Sequence, residues 1–149
     1  MLNPDFRDIL SAFNAERVEY LVVGAYALAA HGLPRATGDI DLWVRPSPEN
    51  AERVWRALAQ FGAPLDQLSR SELTAPDIVV QIGVAPRRID VLTSIDGVEF
   101  ECAWSERLLA SVDGITLPVI GRRHLAENKR AAGRPQDLAD IRRLEAEGP

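Results

Sequence analysis

The sequence predicts an α+β (mixed α/β) fold, in which helices pack on a mixed β-sheet. Three observations predict it: strand-like and helix-like segments alternate along the chain, a hairpin signal occurs late, and hydrophobic residues make up 46% of the 149. Charged residues, at 26%, are also close to the average of globular proteins. We therefore expect a single domain over residues 1–149, with a helical C-terminal segment at about residues 121–147.

The first half of the chain begins with a predicted helix. Asn3 is a candidate N-cap and Pro4 suits the first helical position, while the apolar residues that follow recur at helical spacing and should face the core (Phe6, Ile9, Leu10 and Phe13). The segments after this helix are predicted, in order, as a strand at residues 19–23, a helix at 25–31, a strand at 39–44, and a helix from Ser47-Pro48 to Gly62.

The second half contains the clearest hairpin. Asp113-Gly114 separates two apolar segments, Leu108–Val112 and Ile115–Val119, as in a two-residue β-turn. The other segments are predicted, in order, as a loop with one short helix at residues 63–76, strands at 77–83 and 88–92, an ambiguous stretch at 99–104, and helices at 122–132 and 136–147.

Composition excludes several classes of protein. Seventeen Lys and Arg against twenty-two Asp and Glu give a net charge of −5, which excludes a simple polybasic nucleic-acid or membrane binder but not a locally basic cleft. The one cysteine, Cys102, cannot form an internal disulfide and is expected to be a small core residue. No apolar run approaches the ~20 residues that cross a bilayer, and the first residues do not resemble a signal peptide. We expect a cytoplasmic protein with no membrane partner.

A strand-to-helix junction at Gly24-Ala25 is the first candidate binding feature. Small residues at such a junction let backbone N–H groups at the helix N-terminus approach a phosphate. The same pattern also occurs at ordinary turns, so both interpretations stay open from this feature alone.

Acidic residues on two predicted strands are the second feature. Asp39 and Asp41 are two apart, so their side chains point to one face, and paired carboxylates are ligands that Mg²⁺ prefers. A solvent-facing edge strand is the alternative. Asp90 lies among apolar residues on a later strand; it either pairs with Arg87 or Arg88, or supplies the third carboxylate of a two-metal site for phosphoryl transfer.

This pattern resembles the nucleotidyltransferase superfamily that includes DNA polymerase β, specifically its small bacterial members. The resemblance rests on Gly24-Ala25, on the segment from Arg35 through Thr37 to Asp39-Ile40-Asp41-Leu42, and on Asp90. Many members have Ser where this chain has Ala25. A second block, Leu117 to Ile120 followed by Lys129 to Asp140, is similar to the nucleotidyltransferase-like toxins of type IV toxin–antitoxin pairs.

The resemblance implies a nucleotidyltransferase-like fold, two Mg²⁺ ions (with Mn²⁺ as a substitute) and specific site residues. Asp39, Asp41 and Asp90 are the implied metal-binding and catalytic residues, and Asp90 would also orient or deprotonate the acceptor. The implied nucleotide-binding residues are Gly24, Ala25, Arg35, Thr37, Lys129 and Arg134. For Arg35 the rival interpretation is a salt bridge to Asp39 or Asp41, and for Lys129 it is a solvated surface side chain.

The implied reaction transfers a nucleoside monophosphate from a nucleoside triphosphate to a hydroxyl of RNA (such as tRNA), protein or a small molecule. One biological setting is the toxin of a toxin–antitoxin pair, with a cognate antitoxin as partner. The alternative is a catalytically silent nucleotidyltransferase-like domain that binds a nucleotide or a partner protein.

Overall fold

The computed structural model describes residues 2–35, 38–84 and 87–147. The helices are α1 (Pro4–Ala15), α2 (Gly24–Ala30), α3 (Pro48–Phe61), α4 (Phe100–Ser105), α5 (Arg122–Ala132) and α6 (Pro135–Glu147), with a short 3₁₀ helix at Arg70–Thr74. The strands are β1 (Tyr20–Val23), β2 (Ile40–Val44), β3 (Val79–Ile82), β4 (Ile89–Leu92), β5 (Leu108–Val112) and β6 (Ile115–Val119). Within the described residues, no helix has the length and apolarity that a membrane-spanning segment requires.

In the described parts of the chain, six strands form one mixed sheet in the order β3-β4-β2-β1-β6-β5. Strand β2 runs antiparallel to β1 and parallel to β4, while β1 runs parallel to β6. The two remaining pairs, β3–β4 and β5–β6, are antiparallel and place β3 and β5 at the edges. The predicted fold class, a mixed sheet with helices, is confirmed.

Helix α1 shows why local sequence determines much of this fold. The Asn3 side chain accepts a hydrogen bond from the backbone N–H of Phe6 at 2.9 Å, as the N-cap prediction requires. All four apolar residues that were predicted to face the core are fully buried: Phe6, Ile9, Leu10 and Phe13. The Phe13 ring meets Tyr20 of β1 edge-to-face, with centroids 5.2 Å apart, so α1 packs on the sheet.

The second half confirms the predicted hairpin and resolves the ambiguous stretch. Asp113 (φ 51°) and Gly114 (φ 78°) both have positive φ, as a type I′ turn requires. The ambiguous residues 99–104 contain most of α4. Its Phe100 ring packs edge-to-face on the buried Trp43, with the ring centroids 5.0 Å apart. Cys102 lies on the outer side of α4 and is exposed, so its assignment to the core was wrong. Phe100 and Ala103 are the buried residues of that helix.

Asn50 joins the ends of the strands that lead to the acidic residues. Its side-chain oxygen accepts from the backbone N–H of Glu19 at 2.8 Å. Its amide nitrogen donates to the carbonyl oxygens of Glu19 (3.0 Å) and Arg45 (2.9 Å). Asn50 is 1% exposed, so water cannot replace these bonds. One side chain on α3 therefore fixes the start of β1 beside the end of β2.

We expect Asn50→Ala to lower the free energy of unfolding by about 2–4 kcal/mol, because it removes three hydrogen bonds and leaves the half-buried N–H of Glu19 and C=O of Arg45 without the Asn50 side chain. Urea unfolding followed by circular dichroism measures the loss. Ser47→Ala is the control: Ser47 caps the same helix by accepting from the N–H of Asn50 at 3.2 Å, and its loss should cost about 1 kcal/mol. A loss for Asn50→Ala no larger than for Ser47→Ala would contradict this role.

Candidate active site

Gly24 lies directly against Asp41. Strand β1 ends at Val23, which is paired with Asp41 of β2, and Gly24 then turns into α2 with a φ of +69°. A Cβ atom at Gly24 would lie 2.3 Å from Oδ2 of Asp41. Both the positive φ and this close approach require glycine. The junction that the sequence singled out is therefore a tight turn against an acidic side chain, with Ala25 following in the first turn of α2.

Asp41 and Asp90 lie side by side on neighbouring parallel strands. The two residues are register partners in the β2–β4 ladder, so their side chains point to the same face of the sheet. Asp90 is 8% exposed, and its carboxyl is close enough to hydrogen-bond that of Asp41. Burial raises the pKa of Asp41 to about 6, reinforced by the charge and hydrogen bond of Asp90 and by the charge of Asp39.

Arg88 is the cation that bridges Asp90 and Asp39. Its Nε and Nη2 atoms donate to the two carboxylate oxygens of Asp90, at 2.9 and 3.2 Å. Its backbone N–H donates to Oδ1 of Asp39 at 3.0 Å, and its Nη2 lies 3.5 Å from Oδ2 of Asp39. Of the two partners that the sequence offered Asp90, the structure selects Arg88. The sequence did not indicate that Arg88 would also contact Asp39, which precedes β2.

The three carboxylates of Asp39, Asp41 and Asp90 are chemically suited to bind a divalent cation. These carboxylates lie near one guanidinium, which contacts two of them, and burial together with the neighbouring acids raises the pKa of Asp41. All the donors are carboxylate oxygens, which Mg²⁺ prefers. In the described parts of the chain, no three acidic, histidine or cysteine side chains form a ready-made metal cage. The residues fit an ion that is held by a few carboxylates together with phosphate oxygens of a substrate, as is usual for Mg²⁺.

A second charged cluster lies between α5 and α6. Lys129 is 7% exposed, and its Nζ lies 3.1 Å from both Asp137 and Asp140. Arg134 donates to Asp137 through Nε at 2.7 Å and through Nη2 at 3.2 Å. Lys129 is therefore a buried, paired side chain, and the solvated alternative for it was wrong.

Arg35 connects this second cluster to the segment that leads to Asp39. Its Nη1 donates to Oδ2 of Asp140 at 3.0 Å, and Nη2 binds the other oxygen. The structure thus places Arg35 on Asp140 and not on Asp39 or Asp41, the rival partners that the sequence suggested. Arg35 lies four residues before Asp39, so their Cα atoms are at most about 14 Å apart. Thr37, the other predicted residue of this segment, lies outside the described residues.

The aspartates of the second cluster are stabilised as anions. Hydrogen bonds from Arg134 and then Lys129 lower the pKa of Asp137 to about 2, against the opposing effect of burial. Burial alone would raise the pKa of Asp140, but hydrogen bonds from Arg35 and Lys129 bring it below its ordinary value. The structure therefore forms two groups from the predicted residues: Asp39, Asp41 and Asp90 with Gly24, and Arg35, Lys129 and Arg134 with Asp137 and Asp140.

Comparison with known proteins identifies the fold. No protein-family model matches the chain, and no curated protein matches it significantly. Among solved structures, a protein of Thermotoga maritima assigned as a nucleotidyltransferase superposes with a TM-score of 0.63 at 18% identity, over 99% of this chain and 96% of that one. The lincosamide antibiotic adenylyltransferase LnuA, bound to lincomycin, superposes with a TM-score of 0.59 at 14% identity, over 98% of both chains. The chain has the nucleotidyltransferase fold, as the resemblance implied.

We expect Asp41→Asn to stabilise the protein at neutral pH. The pKa of Asp41 is about 6 in the folded chain against an ordinary 3.8, so ionisation of the wild-type carboxyl costs stability as the pH rises from about 4 to about 6. The variant should match wild type near pH 4 and exceed it by about 1–3 kcal/mol at pH 7. Urea unfolding at several pH values tests this. Asp8→Asn, on the exposed side of α1, is the matched control for the substitution itself.

We expect Lys129→Met to destabilise the protein by about 3 kcal/mol at pH 7, because it leaves two buried carboxylates without their shared ammonium. The loss should shrink as the pH falls from about 4 to about 2, since Asp137 then becomes protonated. Arg130→Met is the control: Arg130 is on the same helix, its pair with Glu145 is exposed, and its loss should cost at most about 1 kcal/mol. Equal stability losses for the two variants would show that Lys129 has no structural role.

Proposed function

We propose that this protein is a divalent-metal-dependent nucleotidyltransferase, which transfers a nucleoside monophosphate from a nucleoside triphosphate to an acceptor hydroxyl. The observation that carries the proposal is the convergence of Asp39, Asp41 and Asp90 beside the Gly24 turn, on a sheet whose fold is that of nucleotidyltransferases. A single buried acid is often structural. Three acids gathered around one guanidinium, with one of them resisting ionisation, support a site that is completed by cations.

In this proposal Asp39 and Asp41 hold two Mg²⁺ ions, for which Mn²⁺ can substitute, and Asp90 holds one of them. Bound ions of this kind neutralise phosphate charge and stabilise the attacking and leaving oxygens. The acceptor oxygen forms a bond to the α-phosphorus. The bond between that phosphorus and the oxygen that bridges it to the β-phosphate breaks, and pyrophosphate leaves. Asp90 orients the acceptor and takes its proton.

The phosphate-contacting residues also belong to the proposal. The small side chains at Gly24 and Ala25 let backbone N–H groups reach the triphosphate, so the hydroxyl that Ala25 lacks is not required. Arg35, Lys129 and Arg134 are already paired with aspartates. Each of these cations can contact phosphate only by sharing or exchanging its carboxylate partner. Because Lys129 is buried between Asp137 and Asp140, we propose that its main role is to position these two carboxylates. Thr37 remains a predicted phosphate contact.

The acceptor is proposed by class. LnuA, with lincomycin bound, has the same fold over almost its whole length, which favours a hydroxyl on a small molecule. RNA (including tRNA) and protein hydroxyls are the other acceptor classes of the proposal. The toxin role, with a cognate antitoxin as partner, rests on the resemblance of the Lys129 to Asp140 block alone. A cytoplasmic location, where nucleoside triphosphates and Mg²⁺ are both plentiful, belongs to the same proposal.

One observation favours the silent alternative. Arg88 binds both oxygens of Asp90, so its guanidinium occupies the coordination positions that a metal ion would use. A domain that kept this ion pair permanently would bind a nucleotide or a partner protein without transferring the monophosphate. The Arg88 side chain is 33% exposed, which leaves it room to turn away when a cation enters.

The test is to incubate the protein with each α-phosphate-labelled nucleoside triphosphate, Mg²⁺, and either total RNA, cell protein or a small-molecule extract. Label should enter one acceptor fraction with release of pyrophosphate, and Asp39→Asn or Asp41→Asn should reduce the rate at least about 100-fold. Asp8→Asn should leave it unchanged, because Asp8 is exposed on α1. Nucleotide binding by calorimetry with no pyrophosphate from any mixture would establish the silent alternative instead.

A further inference from the structure

Strand β5 is an edge of the sheet whose apolar residues are uncovered. It pairs with β6 on one side and is last in the strand order. Leu108 is 42% exposed and Leu109 is 63% exposed. The strand Leu108–Val112 contains no charged residue and no proline, which are the usual features that prevent an edge strand from pairing with another chain. This edge is therefore able to accept a further strand.

The hairpin geometry determines which backbone groups of β5 point outward. The pair Val112–Ile115 flanks the two-residue turn, and such a pair exchanges both of its backbone hydrogen bonds. Because these bonds alternate along a strand, Ala110 and Leu108 also face β6. The N–H and C=O groups of Leu109 and Ser111 consequently point away from the sheet.

Those two outward-facing residues are spaced for pairing with an identical strand. In an antiparallel pair centred on Ala110, Leu109 of one copy lies opposite Ser111 of the other and exchanges hydrogen bonds with it. On the other side of the two-fold axis, Ser111 of the first copy exchanges hydrogen bonds with Leu109 of the second. Ala110 then faces its own counterpart, and Leu108 faces Val112.

The charges at the two ends of β5 select this register. Arg107 precedes the strand and Asp113 follows it, and in the register centred on Ala110 each faces the other across the pair. Both residues are exposed. Arg107 donates to the carbonyl oxygen of Trp104, and Asp113 accepts from the backbone N–H of Leu2. The Arg107 guanidinium also stacks on the Trp104 ring, with Cζ 3.9 Å from the ring centroid. Neither residue forms an ion pair with any described residue of its own chain, and opposite charges in facing positions stabilise a β-pair.

Grooves on both faces of the sheet border this edge. One groove, of about 480 Å³, includes Leu109, Trp104 and Pro118 in its lining. The other, of about 260 Å³, is lined by apolar residues that include Ala110, Val112 and Tyr26. A second copy on β5 would cover the open side of both grooves, which adds apolar burial to the strand pairing.

We propose that β5 is a homodimer interface, at which two copies pair antiparallel about Ala110 and extend the sheet to twelve strands. The partner that this edge fits is a second copy of the chain, because the strand is complementary to itself in hydrogen bonding and in charge. The inference does not depend on the proposed function, since β5 contributes none of the acidic residues.

Sedimentation velocity from about 1 μM to about 1 mM tests the proposal, since this range spans weak to moderate association. Wild type should shift from monomer to dimer. Leu109→Lys should raise the dissociation constant at least about tenfold. The matched control is Val79→Lys on β3, the opposite edge, where Val79 is 52% exposed and the dimer should persist. A wild type that stays monomeric, or a dimer that only Val79→Lys dissociates, overturns the proposal.

Two further variants test the register. Arg107→Glu places like charges opposite each other and should weaken the dimer, and adding Asp113→Asn should recover part of the loss, because Asn tolerates the positive φ of that position. In a Cys102→Ser background, Ala110→Cys should form an intermolecular disulfide, because facing residues of such a pair lie about 4.5 Å apart. A dimer in which Ala110→Cys forms no disulfide, while Ser111→Cys does crosslink to itself, would show that the register is wrong.

Discussion

The position of β2 between β1 and β4 is the constraint on which the rest of the site depends. Its antiparallel register with β1 sets Asp41 against the Gly24 turn, and its parallel register with β4 sets the same residue beside Asp90. If the register of β2 shifted by one residue, the Asp41 and Asp90 side chains would lie on opposite faces of the sheet. The Asn50 hydrogen bonds lie at the opposite end of the β1–β2 ladder, where they join the start of β1 to the end of β2 and so help to hold this register.

Charge balance distinguishes the two clusters. The acidic cluster has three carboxylates and one guanidinium, and burial, followed by the charges of Asp90 and Asp39, raises the pKa of Asp41. The α5–α6 cluster has two carboxylates and three cationic side chains, and the pKa of Asp137 is lowered accordingly. Arg35, which binds Asp140, lies four residues before Asp39 and so links the two clusters along the chain.

Local sequence signals predicted most of the secondary structure, because capping residues, turn residues and periodicity act over a few positions. The β5–β6 hairpin and α5 were predicted with their bounds, whereas α4 was ambiguous because its six residues depend on packing against Trp43. The partner of Arg35 could not be predicted, since Asp140 is 105 positions away. Asp39, Asp41 and Asp90 could be singled out because Asp residues are unusual in apolar strands. Arg88, by contrast, is one of seventeen Lys and Arg, and nothing in the sequence indicated that it would contact two of those acids.

The most direct test of the central claim is a crystal structure with Mn²⁺ and a non-hydrolysable nucleoside triphosphate analogue, in which anomalous scattering locates the metal. We predict an anomalous peak within about 2.3 Å of carboxylate oxygens of both Asp41 and Asp90, as oxygen ligands of a divalent ion require, with the Arg88 side chain displaced from Asp90. A bound nucleotide with its metal elsewhere, and the Arg88–Asp90 ion pair intact, would contradict it.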